Sequence, residues 1–288
     1  MSRVTRRRPV IKVTARSTGT SSRKQADVLA VEEPLEIRLN GEPYTVTMRT
    51  PGHDIELAHG LLSAEGIIAG PEDVVTGRYC AGSVMDDEFG QPQNTYNVLD
   101  IQLAPGIKVP EARLRRAVTN SSCGVCGTAS IHLLRQDAQF DLGADDLRMP
   151  AELVLELPDR LRDAQKVFDS TGGLHGVGLF DARGELLVAR EDVGRHNATD
   201  KVIGWAMLNG LRPARGCVLV VSGRTSFELA QKAVMAGIPM LVGVSAPSSL
   251  AVEVAEETGM TLAGFVRGDR MNIYAGAERV LLERNDRR

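Results

Sequence analysis

The chain has 288 residues, 43% apolar and 25% charged, with a net charge of −3. That mixture excludes a wholly disordered chain, a coiled coil and a collagen-like rod, and no apolar run approaches the ~18 residues of a membrane span. Aromatics make up only 4%, which leaves a protein poorly equipped to stack single-stranded bases, so neither a nucleic acid nor a membrane is an expected partner.

Charge is unevenly distributed. Eight of the 34 basic residues lie in residues 1–26, which contain no acid, leaving 26 basic against 37 acidic residues beyond them. Residues 1–27 therefore read as a basic, Ser/Thr-rich, flexible arm in front of an acidic body. Arg6-Arg7-Arg8 is not followed by the apolar stretch of an export signal. In residues 28–48, alternating Leu35, Ile37 and Leu39 precede Asn40-Gly41, which predicts a hairpin. Asp54 is the expected cap of a helix carrying Ile55, Ala58, Leu61 and Leu62. Residues 72–104 read as a strand pair around a polar loop, and 110–118 as a short helix. Helices are also expected after Thr128 and over 159–168, and a hairpin over Ala182–Gly184. From ATDKVIGWAML onward, helices alternate with the strands GCVLVV, MLVGV and TLAGFV. The pattern predicts an α/β fold with a mainly parallel, helix-covered sheet. The boundaries are an N-terminal α+β domain over 28–119 and a larger α/β domain over 120–288.

Four cysteines in a chain of this length suggest a reducing compartment. Cys123-Gly-Val-Cys126 lies among Ser121, Ser122, Gly124 and Gly127. Two thiols at this spacing can share a metal, exchange a disulfide, or act as nucleophile and resolver. A zinc site lacks a second such pair, since Cys80 and Cys217 stand alone. A zinc deaminase would carry H-x-E, which is absent. A thioredoxin-type motif would follow a strand, and RLRRAVTNSS is not strand-like. Small polar neighbours suggest exposure, and a helix following the pair favours thiolate. A thiolate on such a loop suits a sulfur carrier: one cysteine takes up sulfur as a persulfide and the other later releases it.

Three further segments suit anions. Glu191-Asp-Val-Gly-Arg-His-Asn197 packs charge, imidazole and amide into one turn, as a site or a helix cap does. Ser222-Gly-Arg224 joins a strand to a helix, where backbone amides can meet an anion. Phe265-Val-Arg-Gly-Asp-Arg270 follows the last strand; its arginines suit a diphosphate and Asp269 a guanine edge, unless this is simply a solvated turn.

Together AVEEPLEIRLNG (30–41), MRTPGHDIELAHGLLSAEGII (48–68), SSCGVCG (121–127), REDVGRHNATDKVIG (190–204), SGRTSFELAQKA (222–233) and GFVRGDRMNIY (264–274) resemble the formate dehydrogenase accessory sulfurtransferase family, FdhD type. The resemblance covers roughly residues 28–275. It implies a cytoplasmic, homodimeric carrier that takes sulfur from a cysteine desulfurase to the molybdenum cofactor in its bis(molybdopterin guanine dinucleotide) form, before that cofactor enters formate dehydrogenase. It places the persulfide on Cys123, with Cys126 assisting, and the guanine-dinucleotide contact on Phe265, Val266, Arg267, Gly268, Asp269 and Arg270. The cofactor would be a bound client, with no permanent metal. The larger domain would be similar to the cytidine deaminase fold. Arg195, His196 and Arg224 are left with anion binding or thiolate stabilisation. A cofactor chaperone without sulfur chemistry and a structural zinc protein are the alternative readings.

Overall fold

The computed structural model describes residues 4–80, 82–85, 92–109 and 139–282. The helices expected at 110–118 and after Thr128 lie outside the described residues, as do Cys123 and Cys126. Among the described residues no helix is long and apolar enough to cross a membrane.

The segment expected to be a flexible arm is instead a β-ribbon. β1 (Thr5–Arg16) pairs antiparallel with β2 (Gly19–Ala30) in one unbroken register. Its side chains are largely exposed, so it buries no apolar stripe that a sequence reading would detect.

The N-terminal unit follows. β3 (Glu33–Leu39) and β4 (Glu42–Arg49) form the expected hairpin, with φ of 53° at Asn40 and 87° at Gly41. The Asn40 side chain tolerates that left-handed backbone and accepts a bond from the Leu103 amide. α1 (Asp54–Ala64) leads to β5 (Val74–Tyr79), the hairpin strands β6 (Gly82–Met85) and β7 (Pro92–Thr95), and β8 (Val98–Leu103). The main sheet is ordered β4-β3-β8-β5. Its inner face carries Leu35, Ile37, Leu99 and Ile101 against Leu57, Ala58 and Leu62 of α1. Asp54 does not cap α1. The cap position is His53, and Asp54 is buried, accepting from Arg49 Nε and Nη2 at 3.0 Å each and from Tyr79 Oη at 2.9 Å.

The larger unit begins with β9 (Met149–Pro150), α2 (Ala151–Ala164) and α3 (Lys166–Thr171). The helix expected over 159–168 thus starts eight residues earlier and carries Pro158 inside it; a proline usually marks a helix start. β10 (His175–Phe180) and β11 (Leu186–Asp192) form the expected hairpin. α4 (Arg195–Leu208), β12 (Val218–Val221), α5 (Phe227–Met235), β13 (Met240–Gly243), α6 (Ser249–Thr258) and β14 (Thr261–Arg267) give the alternation. β15 (Arg270–Ala275) and β16 (Val280–Leu281) close the chain.

The sheet order is β11-β10-β12-β13-β14-β15. It is mixed rather than mainly parallel: only β12-β13 and β13-β14 run parallel, and the outer pairs are antiparallel. Crossover helices make the parallel centre; tight hairpins at both flanks force the reversal. Central strands alternate between two cores. Leu219, Val221 and Leu241 face α4, α5 and α6, whereas Val218, Val220 and Val242 face α2.

The two units are joined along α1 and α4. A Cβ added to Gly204 would lie 1.8 Å from the Glu56 carbonyl oxygen, and one on Gly60 would lie 1.9 Å from that of Asp200. Here helix backbones touch, and only glycine fits. Beside this crossing, Arg190 of β11 holds Glu56 of α1 through Nε at 2.6 Å and Nη2 at 2.7 Å. Burial alone would raise the Glu56 pKa, but the bonds from Arg190 and His53 outweigh it and bring the pKa from 4.5 down to about 2. A depressed carboxylate pKa adds stability that is complete above the unfolded value and is lost as pH falls through the folded one. We therefore expect Glu56→Gln to flatten the loss of stability between pH 4.5 and about 2, read by denaturant midpoints across that range. An unchanged slope would show that the pair does not couple to folding.

Candidate functional site

The carboxyl ends of β12, β13 and β14 meet the amino end of the antiparallel β10. Ligands of open α/β sheets collect at such an edge. A pocket of about 520 Å³ opens there, lined by Leu161, Phe168, Leu174, Val244 and Val266 on its apolar side. Asp159, Arg162, Gln165, His175, Ser222 and Arg267 supply its polar groups, Asp159 being exposed at the margin. α2 and α3 form one wall and the strand ends the other.

Each group is held for a local reason. Ser222 follows the buried strand VLVV and is locked to β10, its hydroxyl accepting from the Gly176 amide at 2.9 Å. Arg162 lies over the Phe168 ring at 4.6 Å and pairs with Asp169 at 2.5 Å, so its guanidinium is flattened against the wall. His175 is half-buried. Burial, then the neighbouring Arg195 and His196, lower its pKa, so the ring is neutral at neutral pH and can donate or accept. The combination of flat apolar wall, guanidinium and hydroxyl suits an anionic ligand carrying a ring.

The expected cofactor stretch is divided by the fold. Val266 is fully buried and forms pocket floor, and Arg267 lines the rim. Gly268 and Asp269 form the turn between β14 and β15, with Gly268 at φ 60°. Arg267 and Arg270 are direct cross-strand partners, so their side chains leave the hairpin on one face. Like charges placed opposite each other cost stability unless an anion lies between them. Phe265 is partly exposed at φ 53°, its amide donating to the Ser245 carbonyl at 3.2 Å.

The Glu191–Asn197 segment divides in two. Most of it is a joint, not a site. Glu191 caps α3 through the Val167 and Phe168 amides, at 2.9 and 2.7 Å. Asp192 is fully buried and binds Lys201 Nζ at 2.6 Å, the Thr50 amide at 3.0 Å and the Gly194 amide at 2.9 Å. Asn197 donates to the Met48 carbonyl at 2.7 Å. These bonds tie β4 to the start of α4. Arg195 and His196 are the remainder that faces the strand ends. His196 meets Glu228 at 2.8 Å and Ser226 at 3.4 Å, and its hydrogen bond lowers the Glu228 pKa. Arg224 does not line the pocket, although its charge helps to lower the His175 pKa.

Cys123 and Cys126 lie outside the described residues, so their place relative to the pocket is not part of this geometry. Of the described cysteines, Cys80 is exposed and Cys217 buried. Burial pushes the Cys217 thiol up to about 11, which leaves it protonated and a poor nucleophile. Among the described residues no cluster of His, Cys, Asp or Glu could hold a metal ion. Sequence reasoning missed Arg162, Gln165, Phe168 and His175. The one available signal was Gly172-Gly173, separated from His175 by Leu174 alone, a break that opens a strand beside a wall.

A family model described as the FdhD/NarQ family matches residues 30–281. The sulfur carrier protein FdhD of Streptomyces coelicolor is 55% identical over 284 residues, covering 98% of each chain. The protein of that name from Mycobacterium tuberculosis is 55% identical over 88% of this chain and 92% of its own. That of Saccharolobus solfataricus is 43% identical over 89% and 92%. Among solved structures, a putative formate dehydrogenase accessory protein from Desulfotalea psychrophila superposes with a TM-score of 0.70 at 24% identity, covering 96% of this chain and 99% of its own; at that identity the likeness speaks for the fold.

Proposed function

This chain belongs to the FdhD/NarQ family, and from that premise we propose that it is a cytoplasmic, homodimeric sulfur carrier serving formate dehydrogenase. Its client is the molybdenum cofactor in bis(molybdopterin guanine dinucleotide) form, and its sulfur donor is a cysteine desulfurase. The observation that carries the reading is the pocket at the strand ends, where Val266 and Arg267 of the expected cofactor stretch sit with His175 and Ser222. Its residues suit one guanine-nucleotide end of the client: Arg267 for phosphate, the Phe168 wall for a ring, His175 and Ser222 for base or ribose edges. The six-stranded unit is read as a deaminase-like scaffold whose H-x-E machinery is absent from the sequence.

The chemistry rests on Cys123. Its thiolate attacks the outer sulfur of the donor's persulfide; the donor leaves as thiolate and Cys123 carries the persulfide. Attack by the Cys126 thiolate on the inner sulfur then forms a Cys123–Cys126 disulfide and releases hydrosulfide to the client. A dithiol reductant resets the pair with two electrons.

The test treats the protein with desulfurase and cysteine and reads peptides by mass spectrometry. One reductant-labile sulfur is expected on the Cys123 peptide, absent in Cys123→Ala, which also fails to support formate dehydrogenase. Arg267→Ala should keep the persulfide but bind guanosine diphosphate about tenfold more weakly, as loss of a charged hydrogen bond of about 1.5–3 kcal/mol requires. If the double Cys123→Ala, Cys126→Ala protein still activates formate dehydrogenase, the carrier reading fails and a cofactor chaperone takes its place.

A further inference from the structure

The β1–β2 ribbon belongs to none of the three cores, and nothing in the proposed sulfur chemistry uses it. Its register sorts its side chains by face. Arg6, Arg8, Lys12, Arg16 and Arg23 share one face, with Lys12 directly opposite Arg23. Arg6 to Arg16 spans about 33 Å at strand rise. The other face presents Pro9, Ile11, Val13, Ala15, Ala26 and Val28, with Ile11 64% and Val13 61% exposed, and carries two cations, Arg7 and Lys24. Asp27 is the one acid on the first face, directly opposite Arg8, and among the described residues the ion pairs all lie elsewhere, so that face keeps a net positive charge toward solvent. The ribbon is a sheet of two strands, and both outer edges keep unpaired backbone groups. An isolated pair of strands is marginal in water and gains independent stability from a third.

The root of the ribbon has a defined place. β2 packs against α3, and a Cβ on Gly173 would lie 3.8 Å from that of Ala30. Phe168 of α3 and Gly173 both line the pocket. The base of the ribbon thereby stands beside the pocket rim.

We propose that the ribbon is a docking arm that accepts, as a third strand, an extended segment of a partner protein with alternating acidic and apolar residues. Strand alternation sends its acids to the cationic face and its apolar side chains to Ile11 and Val13, while its backbone satisfies an open edge. Charge fixes which face is which, so the register is set by pattern as well as by backbone pairing. The absence of aromatic residues from residues 4–30 argues against single-stranded nucleic acid on this surface, and the apolar face argues against a purely electrostatic partner. This inference goes beyond the sulfur reading and does not rest on it.

The experiment uses the full chain carrying Cys123→Ala, so the outcome is independent of persulfide chemistry. The probe is a fluorescein-labelled peptide of alternating Glu and Leu, followed by anisotropy at physiological salt. It should bind. Reversing the cationic face (Arg6→Glu, Arg8→Glu, Lys12→Glu, Arg16→Glu, Arg23→Glu) should weaken it at least about tenfold, the loss of roughly one charged contact or more. A peptide of the same composition arranged in blocks should also bind about tenfold more weakly. Ile11→Ser with Val13→Ser should weaken the alternating peptide and leave polyglutamate binding unchanged. The thermal midpoint of the body should not move in any variant, because the ribbon lies outside the cores. No binding, or equal binding of the two peptides, overturns strand addition. Tighter binding of duplex DNA than of the peptide assigns the surface to nucleic acid. A change in sedimentation on charge reversal without peptide assigns it to a second copy of the chain.

Discussion

Lys201→Met should cost about 3–5 kcal/mol of folding stability, the range for breaking one side of a buried ion pair. Asp192 is 0% and Lys201 1% exposed. Lys201 Nζ donates to Asp192 at 2.6 Å and to the Thr50 carbonyl at 2.8 Å. Methionine keeps the stem and its packing but leaves the carboxylate with amide donors alone, in a place water does not reach. The cost is therefore the unpaired buried charge rather than lost volume. Denaturant midpoints at neutral pH measure it, and a loss under about 1 kcal/mol would place the pair in the weak class of solvent-exposed bridges. The same substitution should loosen the start of α4, where Arg195 and His196 face the strand ends.

Gly204→Ala should also destabilise, by about 3 kcal/mol or more, at the upper end of overpacking costs. In a helix interior the change from Gly to Ala normally gains about 1 kcal/mol, so the sign itself is diagnostic. The new Cβ would lie 1.8 Å from the Glu56 carbonyl oxygen and 2.9 Å from the Gly60 amide nitrogen. Both are backbone atoms of the facing helix, so no rotamer change can relieve the clash and the helices must separate. Gly60→Ala meets the Asp200 carbonyl in the same way. A variant more stable than the parent would show that α1 and α4 do not cross as described.

What could be read in advance follows burial. VLVV and MLVG are fully buried, and buried strands announce themselves as short apolar runs between turn residues. The β3–β4 hairpin was legible because Asn40-Gly41 has few other uses. The ribbon was not: its strands bury almost nothing, so pairing rather than pattern holds them. β15 was hidden because RMNIYA follows a Gly-Asp turn that reads equally well as a loop for anions. The site was half-legible. Val266, Arg267 and Ser222 lie at strand ends, where chain order points to them. Arg162, Phe168 and His175 reach the pocket only once α2 and α3 have folded across the sheet. The Glu191–Asn197 segment shows the reverse difficulty. A buried ionic joint and a reactive cluster have the same composition, and only exposure separates them.

The crossing of α1 over α4 has a mechanical consequence. Helices packed through side chains can slide, because rotamers exchange and the interface re-forms a little further along. Two glycines leave no such compliant layer, and peptide groups pressed together lock like meshed gears. Shear between the N-terminal sheet and the mixed sheet along this crossing would therefore require the two helix backbones to separate first.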